Sequence, residues 1–414
     1  MRHIFFFFLL PAILLLSSCA SEKPQENTLA KFVTISGQDL VQPDGTKLFI
    51  KGTNLGNWLN PEGYMFRFNK ASSGRFINEM FSQMVGPDFT AEFWKAFKDN
   101  YITRDDIQFI KKTGANTIRL PFHYKLFTDE DYMGLTVAQD GFARVDSVVE
   151  WCRETGLYLI LDMHDAPGGQ TGDNIDDSYG YPWLFESEKS QQLYCDIWRR
   201  IADYYKNEPV ILGYELFNEP VAPYFPNMEE MNNKLEGLYK MGTAAIREVD
   251  KNHIILLGGA QWNGNFESFK DSKFDDKIMY TCHRYGGEPT KEAIQKIIHF
   301  RDSVNLPMYM GEIGHNTDEW QAAFCQVMRE NNIGYTFWPY KKMDGSSFVG
   351  ITPPENWGKI IDFSEAPRSS YKEIREARPE QEVVRKAMMD FIEASKLKNC
   401  VVQEGYIHSL GMNN

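Results

Sequence analysis

The 414-residue chain has no surplus of positive charge: 44 Lys and Arg stand against 57 Asp and Glu, for a formal net charge of -13. A surface of that sign repels phosphate backbones and anionic headgroups, which excludes nucleic acid as a partner and favours a neutral ligand. Cysteine is sparse and forms no C-x-x-C pair, which excludes a zinc cage of that spacing and a disulfide framework. After Cys19 there remain Cys152, Cys195, Cys282, Cys325 and Cys400, so one bridge stays open in an oxidising compartment. There is no H-E-x-x-H, and GTNLGNW after the first core strand is not a G-x-G-x-x-G. Neither a catalytic metal nor a nucleotide cofactor is therefore expected. No apolar run reaches the roughly twenty residues that span a bilayer.

The N-terminus carries a shorter run. A positive start, apolar residues from Ile4 to Leu16 and then small residues have the layout of an export signal. Leu16-Ser17-Ser18-Cys19 resembles a bacterial lipoprotein signal, which implies cleavage before Cys19 and lipidation of that residue; a plain secretory leader is the alternative. The expected organisation is a lipoprotein-type signal over residues 1–19, a polar tether over residues 20–30 and one domain over residues 31–414. The protein is then exported and held in a bacterial cell envelope, otherwise secreted.

With 43% hydrophobic residues the remaining chain can bury a large core. Phe32 to Leu48 reads as a hairpin around Pro43-Asp44-Gly45, and 60–86 as an irregular surface loop with one short helix. Thr103 and Asp106 form a capping-box start to a helix ended by Gly114. A strand and helix rhythm follows. Its strands are LFIKGTNL, NTIRLPF, LYLILDMH, VILGYELF, HIILLGG, KIMYTCHRY, PMYMGEI and GYTFWPY. Their continuous apolar interiors suit strands covered on both faces. The expected fold is α/β, a closed (β/α)8 TIM barrel with an N-terminal hairpin and an inserted region after the first strand. An apolar stripe over Val383, Val384, Ala387, Met388, Phe391 and Ile392, after Pro379, predicts a helix against the barrel's outside.

Barrel closure would gather the strand tips around one mouth. Those tips carry Asn54, Arg119, His164, Asn218 with Glu219, His283 with Tyr285, Glu312 and Trp338. Two facing carboxylates can split a glycosidic bond, one holding a proton for the leaving oxygen and the other ionised to attack the anomeric carbon. Arg119 suits an ionised carboxylate, Tyr285 can donate to the nucleophile, Asn218 can bond a sugar hydroxyl, and Trp338 offers a stacking face. Asn54, Trp58 and Trp183 are further candidate sugar contacts. Asp173, Asp176 and Asp177 lack the spacing of a calcium loop and read as a solvated acidic turn.

IRLP, LDMH, FNEP, HRY, GEIG and FW, in this order, resemble glycoside hydrolase family 5, a family of retaining β-glycosidases on (β/α)8 barrels. The resemblance implies that Glu219 is the acid/base at the end of the fourth strand and Glu312 the nucleophile at the end of the seventh. It further implies supporting roles for Arg119, His164, Asn218, His283, Tyr285 and Trp338, with no cofactor. GTNLGNW and HDAPGGQTGDN are most similar to the branch of exo-β-1,3-glucanases and endo-β-1,6-glucanases, although Asn57 stands where those relatives usually carry Gly. A neutral β-glucan or its oligosaccharides is the implied substrate, handled by a monomer. The alternatives are a transglycosylase on the same scaffold and a non-catalytic surface glycan-binding lipoprotein.

Overall fold

The computed structural model describes residue 1, residues 31–134 and residues 138–412. Cys19, the signal-like run and the tether lie outside the described residues. Eight parallel strands close into a barrel: β1 Lys51–Asn54, β2 Thr117–His123, β3 Tyr158–Asp165, β4 Ile211–Glu215, β5 Ile254–Gly258, β6 Ile278–Arg284, β7 Met308–Gly314 and β8 Gly334–Trp338. Each pairs with its sequence neighbours, and β8 returns to β1. This is the expected (β/α)8 architecture.

Strand alternation sorts the side chains into two cores. Leu159, Leu161 and Met163 of β3 face outward into the helix layer, whereas Ile160 faces the barrel interior. Continuing that parity brings Asp162 and His164 inward. β6 behaves likewise, with Tyr280 and Cys282 outside, Met279 inside, and Thr281 and His283 following on the inner face. The lower interior is thus apolar and the upper interior polar. At the bottom, Val33, just before the N-terminal sheet, and Leu40 and Leu48 within it pack against Ile160, Leu212, Ile254 and Met279, sealing the barrel's base. That sheet has three strands, Thr34–Ser36, Asp39–Val41 and Lys47–Leu48, so the hairpin around Pro43-Asp44-Gly45 is joined by one strand more than the sequence suggests.

Other departures have physical causes. The segment 60–86 is not a surface loop: it contains a helix over Gly74–Val85 and buries Met65, Phe66, Phe68, Ile77, Met80 and Phe81. Its rings stack on Trp357 and pack tilted against Phe391, which come from the C-terminal third of the chain. The helix carrying Phe391 runs Gln381–Ala394, so Pro379 precedes its first turn. Between β5 and β6 there is only a four-residue turn, Ala260–Asn263, with left-handed backbone at Gln261 and Trp262, so the strand and helix alternation lapses there. The acidic turn is not solvated either. Asp176 is buried and accepts backbone N–H bonds from Thr171 and Gly172 at 2.6 and 2.8 Å, clamping the long loop after β3. All five described cysteines are free.

The capping box at Thr103 forms, with Asp106 accepting from the Thr103 N–H at 2.8 Å. The same carboxylate pairs with the wholly buried Lys341 at 2.6 Å, and Lys341 also donates to the carbonyls of Tyr101 and Ser395 at 2.7 and 2.8 Å. One ammonium thereby ties the segment after β8 to the helix before β2 and to the end of the C-terminal helix. Asp106→Ala leaves a buried ammonium without its counter-charge and should cost about 3–5 kcal/mol, read as a lowered urea midpoint.

Candidate active site

The mouth of the barrel is organised by Arg119, whose side chain is fully buried on β2. Its Nε and Nη2 bind Glu215 of β4 at 2.9 and 2.7 Å. Nη2 also reaches Asp162 at 3.0 Å and donates to Asn218 Oδ1 at 2.7 Å. Nη1 donates to Glu312 at 2.6 Å and to Asn54 at 3.0 Å. Burial works against the guanidinium charge, but Asp162, Glu215 and Glu312 together hold its pKa well above the usual arginine range.

Glu312 sits on β7 just past Gly311, where the strand register shifts between Met310 and Glu312. A Cβ at Gly311 would lie 2.3 Å from Thr281 Oγ1 and 3.0 Å from His283 Nε2, so only glycine lets β7 pass this close to β6. One Glu312 oxygen takes the Arg119 bond and the other accepts the Tyr285 hydroxyl. Burial and the neighbouring Glu312 push the Tyr285 pKa well up, so the phenol keeps its proton as a donor.

Glu219 lies beyond β4 on a backbone with φ of 44°, a left-handed conformation that costs a non-glycine residue energy. Thr171 Oγ1 donates to its carbonyl at 2.7 Å and Gln170 Nε2 to that of Asn218 at 2.7 Å, which holds the turn. Burial pushes the Glu219 carboxyl up to about 7, with Arg119, and His164 once protonated, pulling against it. His283 Nδ1 is 2.7 Å from Glu219 Oε1, and its Nε2 is 3.0 Å from the Asn263 amide nitrogen. Burial lowers the His283 pKa to about 4, so the ring is neutral. With Asn263 donating to Nε2, the single ring proton sits on Nδ1 and points at Glu219. His164 follows the same logic: burial brings it to about 4, Nδ1 lies 2.7 Å from Asp162, and Nε2 faces the Asn218 amide at 3.2 Å.

One oxygen of Glu219, one of Glu312 and a ring nitrogen of His283 all lie within 4.8 Å of one another. Among the described residues this is the one group of three compact enough to hold a metal ion, but Glu312 already takes donors from Arg119 and Tyr285. Carboxyls this close fit the retaining arrangement, about 5–5.5 Å, and not the roughly 6.5–9.5 Å that an inverting pair needs for an intervening water.

Both acids open into a cavity of about 320 Å³ lined by Glu62, Tyr64, His164, Ile175, Glu219, Tyr285, Glu312, His315 and Trp338. The Trp338 ring stacks on His164 at 5.1 Å, and its Nε1 donates to Tyr64 at 2.7 Å. The structure thus gathers eight of the sequence-derived residues: Arg119, His164, Asn218, Glu219, His283, Tyr285, Glu312 and Trp338. Two others are taken up by the fold, Asn54 as an acceptor in the Arg119 network and Trp58 in the core. Asn54 is buried with its amide donating to the carbonyls of Gly311 and Phe337, and Trp58 is a core residue whose Nε1 donates to the Lys98 carbonyl at 2.9 Å. Neither has a face left for a sugar. Trp183 is exposed on the long loop, outside the cavity lining, with its ring 4.7 Å from that of Tyr181.

Sequence reasoning missed Glu215, Asp162 and Glu62. A carboxylate inside an otherwise apolar strand must have a counter-charge, and that signal alone could have paired Glu215 with Arg119. Glu62 gives no such signal. It is buried in the cavity wall, no hydrogen bond among the described residues satisfies its carboxyl, and burial with Glu312 and Glu219 nearby pushes its pKa well up.

A closed parallel barrel with two buried carboxyls facing each other at its C-terminal mouth defines a glycoside hydrolase. The chain belongs to glycosyl hydrolase family 5: residues 79–344 match the family described as Cellulase (glycosyl hydrolase family 5). It is 31% identical over 357 residues to a β-xylosidase of Phanerodontia chrysosporium, covering 78% of this chain and 73% of that one. It is 25% identical over 378 residues to a probable glucan endo-1,6-β-glucosidase B of Aspergillus flavus, covering 76% of this chain and 92% of the relative. The fold superposes on a β-glucanase of Saccharophagus degradans with a TM-score of 0.52 and 18% identity, over 88% of this chain and 94% of that chain.

Replacing Arg119 with Met would leave Asp162, Glu215 and Glu312 buried without a cation. The expected loss is about 3–5 kcal/mol of stability or more, read from urea unfolding.

Proposed function

We propose that the protein hydrolyses a neutral β-linked glucan, or oligosaccharides derived from one, by double displacement, with Glu312 as nucleophile and Glu219 as acid/base. The observation that carries this reading is the pair of carboxyl oxygens within 4.8 Å, each in a different environment. Glu312 accepts from the Arg119 guanidinium on one oxygen and from the Tyr285 hydroxyl on the other, which orient the carboxyl for attack on the anomeric carbon. Glu219 is held up to about 7 by burial, so it carries a proton to the leaving oxygen. His283 occupies one Glu219 oxygen, leaving the other to face the substrate. In the second step Glu219 takes a proton from water, which attacks the anomeric carbon and frees Glu312.

The remaining groups hold the sugar. Trp338 offers a ring face, and the Asn218 amide has an N–H beyond the one directed at His164. Glu62 lines the cavity, and burial with Glu312 and Glu219 nearby pushes its carboxyl toward the protonated form, in which it donates to a sugar hydroxyl. Relatives named for glucan endo-1,6-β-glucosidase and glucan 1,3-β-glucosidase support a glucan.

We further propose that Cys19 is lipidated and anchors the exported protein in the cell envelope, from the Leu16-Ser17-Ser18-Cys19 pattern. In a bacterial host able to lipidate it, Cys19→Ala should move the protein from the membrane to the soluble fraction; an unchanged distribution contradicts the anchor.

Proton NMR of products from a panel of β-1,3-, β-1,4- and β-1,6-linked oligosaccharides should show the β-anomer first, and Glu312→Ala should lower turnover on the order of 10⁴-fold. First release of the α-anomer, or full activity without Glu312, removes the assignment. The acid must be protonated, so kcat/KM should fall tenfold per unit as pH rises beyond about 7. Glu219→Gln should abolish that limb.

A further inference from the structure

Burial is unfavourable for a cation unless an acid stands beside it, and the buried lysines and arginines among the described residues follow that rule with one exception. Lys98 pairs with Asp140 at 2.7 Å, Arg301 with Asp302 at 2.6 Å and Lys341 with Asp106 at 2.6 Å, while Arg119 has three carboxylates. Lys342 is only 8% exposed, yet its ammonium makes no ion pair and no hydrogen bond among the described residues. Asp344 is the acid that acts on it, but both Asp344 oxygens accept from Arg67 Nε, at 3.1 and 3.0 Å. Burial outweighs Asp344 and pulls the Lys342 pKa below the usual lysine range. In a chain of net charge -13, a buried cation kept apart from every free acid is suited to an anion from outside.

The short strand after β8, Lys341–Met343, decides where that charge points. Lys341 and Met343 turn into the core, so alternation sends Lys342 to the opposite face. The strand packs beside the turn Gly63–Phe66, whose Tyr64 lines the cavity. There Tyr64 accepts from Trp338 Nε1 at 2.7 Å, so its own proton goes to His315 Nε2 at 3.1 Å. Burial, and then the Lys342 charge, bring the His315 pKa down to about 4, which leaves a neutral ring with its one proton on Nδ1. That N–H has no acceptor among the described residues either. An ammonium and an imidazole N–H, both without acceptors, thus meet at the edge of the cavity.

His315 follows Glu312 by three residues, and its ring lies 5.5 Å from that of Tyr285, which donates to Glu312. It belongs to the side of the cavity that holds the sugar destined for Glu312, not the sugar that Glu219 releases. We propose that Lys342 and His315 recognise an anionic group, a carboxylate or a sulfate ester, on the non-reducing sugar of the substrate. The proposal rests on the double-displacement reading above and narrows it to a β-linked glycan with an acidic sugar on the retained side. The ammonium supplies charge and the ring N–H supplies direction, with Tyr64 and Trp338 keeping the imidazole in the donating tautomer.

The test holds the leaving group constant. It compares the 4-nitrophenyl β-glucoside, β-cellobioside, β-laminaribioside and β-gentiobioside with the same compounds carrying a 6-carboxylate or a 6-sulfate on the non-reducing sugar. At least one acidic compound should show kcat/KM about tenfold above its neutral counterpart, an advantage that shrinks as salt is raised. Lys342→Gln should remove most of that advantage and Lys342→Arg should keep it, with turnover of the neutral compound reporting a folded site. A preference for the carboxylate identifies a uronic acid, and a preference for the sulfate a sulfated sugar. Equal kcat/KM on neutral and acidic compounds, or a loss in Lys342→Gln that is the same on both, overturns the proposal. No turnover of any compound, neutral or acidic, removes the double-displacement reading, and this inference with it.

Discussion

A guanidinium shut away from water needs its charge matched inside the fold, and Arg119 finds Glu215, Asp162 and Glu312 converging on it from three other strands. The Coulomb attraction offsets a large desolvation cost only because nearly every donor is used and the Glu215 contact is bidentate. That requirement fixes the relative heights of β2, β3, β4 and β7. Position in this site is therefore set by electrostatics acting across the barrel, not by each loop separately. Asn54 completes the set by accepting from Arg119 while bridging to the carbonyls of Gly311 and Phe337.

From that anchor the two acids diverge. Glu312 shares the Arg119 charge, whereas Glu219 sits across the cavity on a left-handed turn where burial outweighs the more distant cation. Two neutral histidines keep the contrast in place. His164 and His283 are both brought to about 4 by burial, so neither supplies a positive charge that would ionise Glu219 at neutral pH. Each histidine has its tautomer set by a second partner, Asp162 for one and Asn263 for the other. The role of each carboxyl thus depends on groups that never touch the substrate.

How much of this was legible in the sequence follows from the same physics. The barrel was, because continuous apolar strand interiors such as Leu157 to Leu161, spaced by helical periodicity, are local and leave their mark in residue order. The tips were legible too, since Asn218 and Glu219 just past β4, and Glu312 near the end of β7, put their chemistry where a parallel barrel opens. What failed depended on contacts distant in sequence. Asn54 and Trp58 looked like mouth residues, but carbonyls from β7, β8 and the helix at Lys98 claim them. Glu62 was invisible because it rides an irregular segment whose path is set by Phe66 and Phe68 packing on Trp357 and Phe391, some three hundred residues later. The lapse between β5 and β6 likewise carries no periodic signature.

The central claim is that a carboxylate in the Arg119 network becomes covalently bonded to sugar. A 2-deoxy-2-fluoro glycoside with a good leaving group slows the second step more than the first, so the intermediate should accumulate. Peptide mapping by mass spectrometry should then find one fluorosugar per chain on Glu312. A label on Glu219 or Glu62, or turnover with no adduct and an inverted product, would contradict the account.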